Sequence, residues 1–169
     1  RTPGRVAPHG ARGAVFVSLH HDAPGGHAGI AHARAGLGEN WYRGEGWGVP
    51  RSTPYPDSAP HRPATLVTPA VERRSRDLAQ RLAATFGPLY RGAAGARAGF
   101  GGVEPRAGNR RMTRYHGFYR TRAGARVILE AGAAGADDAF LARVDPIAAA
   151  VARAITSHLR ARGLLAVGF

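Results

Sequence analysis

Val15-Phe16-Val17-Ser18-Leu19-His20-His21-Asp22 opens as an apolar, β-favouring run and closes in three polar residues. A short apolar run of this kind reads as a strand of a sheet covered on both faces. Its imidazoles and carboxylate emerge where the strand stops, and in open α/β sheets ligands bind outside the carboxyl ends of the strands. Arg126-Val127-Ile128-Leu129-Glu130-Ala131-Gly132 repeats the arrangement, with a carboxylate at the exit and a glycine turn behind it. Two such strands, parallel and close, would bring His20 and Glu130 to one crevice. Side-chain alternation points His20 and His21 opposite ways, so one of the two enters it.

Outward from these strands the chain is punctuated by long irregular segments. Residues 1–13 are rich in Pro and Gly and read as a loop. An α/β domain normally places a βα unit before its central strand, so this start reads as a cut edge and the chain as a piece of something longer. From Ala23 to about Pro63 no helical or strand period is sustained. Loops of that length in compact domains are often lids or binding loops. Trp41 and Trp47 lie in it, either pinning the loop to the body or covering a substrate. Ala64 to Thr68 is a short strand candidate. Thr68 then caps a helix with Pro69 at its first position, and Val71, Ser75, Leu78, Leu82 and Phe86 recur along one face. Gly87-Pro88 is read as its end.

Gly92 to Gly108 has little pattern and reads as a second loop. Met112 to Tyr119 is a modest strand candidate carrying His116. Asp137-Asp138 opens a short helix, and Asp145-Pro146 opens a longer one whose Ile147, Val151, Ile155 and Leu159 repeat before Gly163. Strands alternating with helices predict one α/β domain over 1–169, a three-layer sandwich in which helices flank a mostly parallel mixed sheet. The 23–63 segment is a loop insertion in it.

Composition narrows the function. With 169 residues and 44% hydrophobic content the chain can bury a real core. No apolar stretch approaches the roughly 20 residues of a membrane span. There is no cysteine, which excludes disulfides, zinc-thiolate sites and thiol catalysis, and fits an exported protein. The formal net charge is +13, and all 24 basic residues are arginine. They are scattered, without the aromatic-interleaved stripe of a nucleic-acid site, and with abundant Ala, Gly and Pro they point to GC-rich coding. A specific nucleic-acid partner is therefore not expected. Attraction to an anionic polymer, a bacterial envelope included, stays compatible with the charge.

A neutral imidazole at His20 or His21 could bind a metal, or be held by a structural hydrogen bond. Asp22 could orient its neighbour or cap the turn. Glu130, directly after Val-Ile-Leu, sits where burial is costly without a purpose or an arginine partner. His116 could add a polar group to the same crevice. His27, His32 and His61 fall in the long loop and are expected to face solvent.

These residues carry a family resemblance. Val15 to Asp22, VFVSLHHD, resembles the strand-and-ligand motif of zinc-dependent N-acetylmuramoyl-L-alanine amidases of the amidase_3 type. Gly117 to Arg120 with Arg126 to Gly132 is similar to that family's block in which a strand delivers the catalytic glutamate, and residues 137–165 match its closing helices in order and length. The resemblance implies Zn²⁺ as cofactor, His20 as the last zinc ligand and Glu130 as general base. It also implies peptidoglycan as substrate and a bacterial cell envelope location, periplasmic or secreted. The bond cut would join the lactyl group of N-acetylmuramic acid to L-alanine.

One departure accompanies it. The family's other two zinc ligands, a histidine in a Gly-His-Gly turn and a glutamate, precede the SLHHD strand, and here only His9 in Pro-His-Gly stands there. The first third of an amidase domain is thus expected to be missing, and the chain alone to hold zinc poorly. Two alternatives stand beside this reading: a non-catalytic, arginine-rich binder of anionic polymers, and a zinc amidohydrolase or peptidase with another substrate.

Overall fold

In the computed structural model, residues 13–35, 67–105 and 121–165 are described. Four strands, β1 (Val15–Asp22), β2 (Ala28–His32), β3 (Phe100–Pro105) and β4 (Ala125–Ala133), form one sheet in the order β1-β4-β2-β3. β1 runs parallel to β4 and β2 parallel to β3, while β2 is antiparallel to β4. The sheet is therefore mixed with mostly parallel pairing, and with its helices it makes the α/β sandwich expected.

β4 is central because its Val127-Ile128-Leu129 run is apolar on both faces and buried on both. β1 behaves differently from its reading as a strand covered on both faces. It lies at the edge of the described sheet, half-buried at its start and exposed from Leu19 to His21. The polar triplet also belongs to the strand itself, because His20 and Asp22 both pair with β4. Likewise β4 does not stop at Glu130. It continues through Gly132 to Ala133, which pairs with Asp22, and Ala134 donates its N–H to the Asp22 carbonyl.

Three helices complete the fold: α1 (Pro69–Arg91), α2 (Asp138–Leu141) and α3 (Val144–Ala161). Thr68 caps α1 as expected, its hydroxyl accepting the Val71 N–H at 3.2 Å. Leu78, Leu82 and Phe86 then enter one core with Ile30, Val127 and Leu129 of the sheet. Contrary to expectation α1 runs on through Gly87 and Pro88 to Arg91. Proline costs a helical hydrogen bond there, but the extra turn buries Tyr90 against Phe86, Phe100 and Phe140. Tertiary packing outweighs the local stop signal.

α3 lies against α1. The pairs Asp77–His158, Arg81–Ser157 and Thr85–Ala150 fix the two helices antiparallel. α3 begins at Val144, so Asp145 sits in its first turn, where a carboxylate complements the helix dipole, and is not the cap.

β2 and β3 lie inside segments read as loops. Both are short, and their glycines (Gly29, Gly101, Gly102) carry a loop signature. Their pairing is supplied by β4 and by each other. Of the strand candidate at 64–68 only Val67 and Thr68 are among the described residues, and these two lead directly into α1 outside any strand. His116 with its strand candidate, and Trp41 and Trp47, lie outside the described residues. Among the described residues, no helix is long and apolar enough to cross a membrane.

Candidate active site

Three strands meet at one rung. His20 on β1 is the register partner of Glu130 on β4, and Glu130 is in turn opposite Gly29 on β2. Register partners on adjacent strands share a face of the sheet. Glu130 alternates with Val127, Leu129 and Ala131, which enter the core with α1, so His20 and Glu130 both lie on the face turned away from that helix. The imidazole and the carboxylate expected to meet are therefore neighbours, on parallel strands, at the carboxyl-terminal half of each.

Gly29 leaves the other flank of Glu130 without a side chain. Beyond it, Gly101 and Gly102 on β3 continue the bare floor, and a cleft of about 260 Å³ opens there, walled by Glu130, Asp22, His27 and Glu104. His20 flanks Glu130 from β1 and is not part of the cleft's lining. The His27 ring lies across the floor. A Cβ built on Gly101 would stand 2.8 Å from its Cδ2, so only glycine at 101 lets the imidazole rest there. Gly102 has a φ of +81°, a conformation glycine adopts without strain.

The roles anticipated for His20's neighbours divide. His21 is exposed, with Nδ1 3.2 Å from the Asp22 carbonyl oxygen. Asp22 caps the turn that follows: its carboxylate accepts the N–H groups of Ala23 at 2.8 Å and His27 at 3.3 Å. By holding His27 in this way Asp22 also shapes the cleft. His32, expected at the surface, is buried, its ring bonded to the Ala33 carbonyl oxygen at 3.0 Å. His27 and Glu104 as cleft residues were not legible in the sequence. Both sit in glycine-rich stretches whose strand character appears only on pairing, and the adjacent Gly101-Gly102 was the one available signal.

Beneath the site Asp137 anchors the end of β4. Its carboxylate is fully buried and accepts four hydrogen bonds: from Tyr90 Oη at 2.7 Å and from the backbone N–H groups of Arg97, Ala98 and Ala133 at 2.6, 3.0 and 2.8 Å. Burial by itself raises the carboxyl's pKa. The donors from Arg97, Ala133, Tyr90 and Ala98 reverse this and hold it below the ordinary aspartate range. Burial, and then the same carboxylate, push the Tyr90 hydroxyl up to about 12. Gly132 permits this close approach, since a Cβ there would stand 2.9 Å from Asp137 Cβ.

A catalytic zinc takes three protein ligands and a water. His20 is chemically apt, but among the described residues no group of three His, Asp or Glu side chains is placed to hold a metal ion. The described residues thus do not compose a zinc site by themselves, and the chemistry they offer is that of Glu130 beside an open cleft. No family model, no curated protein and no solved structure matches the chain.

Proposed function

We propose that the chain belongs to a cell-wall amidase that hydrolyses the amide bond between N-acetylmuramic acid and L-alanine in bacterial peptidoglycan. In this reading Glu130 is the general base. It takes a proton from the attacking water and passes it to the leaving amine of L-alanine, so that one carboxylate serves both half-steps. His20 is one donor to a zinc ion whose remaining ligands lie outside the described residues. The cleft beside Gly29, Gly101 and Gly102 receives the stem peptide, an extended chain that would lie against the His27 ring resting on these glycines. The observation that carries the reading is the His20–Glu130 register: two functional groups on one face, at one rung of two parallel strands.

The test is digestion of purified cell wall by the full-length protein, followed as new amino-terminal L-alanine. Glu130→Gln is expected to lower the rate about 10² to 10⁴-fold, the usual worth of a general acid–base group. His20→Ala is expected to lower zinc content measured by elemental analysis. Undiminished hydrolysis in Glu130→Gln, or unchanged metal content in His20→Ala, would overturn the proposal.

A further inference from the structure

The side of the molecule formed by α1 and α3 carries a second feature, remote from the cleft. Two recesses border the seam between these helices. Arg73, Arg74 and Arg162 line one, together with Asp77, and Arg81, Arg153 and Arg160 line the other, with Thr156 and Ser157 between them. Because the helices are antiparallel, the amino-terminal part of α1 faces the carboxyl-terminal end of α3, and the six guanidinium groups fall along a single seam.

The seam's own acid is already engaged. Asp77 Oδ2 accepts from Arg81 Nε at 3.0 Å and lies 2.7 Å from His158 Nδ1. Burial alone would raise its pKa, but these two partners hold the carboxyl below its usual range, so Asp77 stays ionised and occupied. Arg81 also donates to Ser157 Oγ at 2.7 Å, and Arg74 Nε donates to the Gly124 carbonyl at 2.8 Å. Both side chains are thereby fixed, Arg81 with its charge balanced by Asp77 and Arg74 without an ion pair to a described residue. Arg73, Arg153, Arg160 and Arg162 are exposed and make no ion pair with a described residue.

Some of this charge has a local explanation. Arg160 and Arg162 complement the dipole at the end of α3. That does not account for Arg73 beside the start of α1, where the dipole disfavours a cation, nor for Arg153 in mid-helix. Arginines 73 to 81 span about 12 Å along α1 and 153 to 162 about 13 Å along α3, at 1.5 Å per residue. Two parallel rows of that length match consecutive phosphates of a linear polymer, not a single small anion. Three carboxylates (Asp22, Glu104 and Glu130) meanwhile wall the cleft, so opposite charge is collected at different places.

We propose that the α1–α3 seam is a docking surface for a linear phosphodiester polymer, specifically the poly(polyol phosphate) of a bacterial cell wall. It holds the protein on the wall by its helical side while the cleft remains free. The choice of a wall polymer over another phosphodiester rests on the amidase reading; the location and chemistry of the surface rest on the arginines alone.

The test is binding of the full-length protein to poly(glycerol phosphate) of defined length, measured at several salt concentrations. Contacts from the five arginines not balanced by Asp77 predict, for a single-stranded polyanion, a slope of log K against log salt of about −3.5. The variant Arg73→Gln/Arg153→Gln/Arg160→Gln/Arg162→Gln changes only exposed side chains, and is expected to flatten that slope to about −0.7. An unchanged slope in the variant, or no binding at the lowest salt, would sink the proposal. Tighter binding of duplex DNA than of poly(glycerol phosphate) at equal phosphate concentration would also sink it, in favour of a nucleic-acid surface. Glu130→Gln is expected to bind the polymer as the parent does. Loss of hydrolysis thus tests the amidase reading, and loss of polymer binding in the arginine variant tests this one.

Discussion

At the scale of single residues, Asp137 has the largest structural consequence. One carboxylate terminates the ladder of β4, closes the turn at Arg97 and Ala98, and fixes Tyr90. Its folded pKa lies below its unfolded value, so its contribution is complete above about pH 4 and is lost as the pH falls through the folded value. Thermal unfolding followed by circular dichroism from pH 6 to pH 2 is expected to show this decline. Asp137→Asn should be less stable at pH 6, by about 3 kcal/mol or more, and its melting temperature should vary less with acid. Tyr90 has the opposite sign. Its pKa is raised to about 12, so its share is present below about pH 10 and fades between there and pH 12. Glu130 shows how far reading can reach: a carboxylate directly after three apolar residues stands out in the sequence, but not that Gly29 is its neighbour across the sheet. Two stretches a hundred residues apart acquire a common rung only through pairing.

Among the elements, the helices were the more legible because their signals are local. Thr68-Pro69 marks the start of α1, and the helical spacing of Val71, Ser75, Leu78, Leu82 and Phe86 marks its buried face. The end is not legible in the sequence because Gly87-Pro88 is a local stop signal, whereas the turn beyond it is held by Tyr90 in an aromatic cluster with Phe86, Phe100 and Phe140. Leu82 lies in the middle of that face and is fully buried. Leu82→Ala is expected to cost about 2 to 5 kcal/mol in denaturant unfolding, the range for emptying a packed leucine site. A loss below about 1 kcal/mol would mean that α1 does not pack on the sheet as described. The short strands β2 and β3 lacked any such local signature. Five or six residues interrupted by glycine are strands only when a neighbour supplies the hydrogen bonds.

For the whole molecule, stability should be graded across the sheet. β4 has a paired strand on each side and a core that includes Val127 and Leu129, while β1 and β3 lie at the edges of the described sheet. Hydrogen exchange read by mass spectrometry is expected to protect residues 125–131 longest and the exposed half of β1 least. Faster exchange in β4 than in β1 would contradict the strand order. The net charge of +13 also belongs to this scale, and the sequence spreads it along the chain. Arginines 73 and 162, nearly ninety positions apart in sequence, become neighbours only when α3 folds back on α1.

What the sequence determined by itself is what short-range patterns encode: an α/β chain without cysteine, a helix capped by Thr68 and a second with a periodic apolar face, two apolar strands, and an imidazole and a carboxylate on them. The tertiary structure decided how these fit together. It put β1 at the edge of the described sheet, made strands of two glycine-rich segments, gave Asp137 its four donors and placed His20 beside Glu130. Period and capping act within a few residues of themselves. Register, edge position and the sharing of one face depend on which strand supplies the neighbouring hydrogen bonds, and that partner can lie anywhere along the chain.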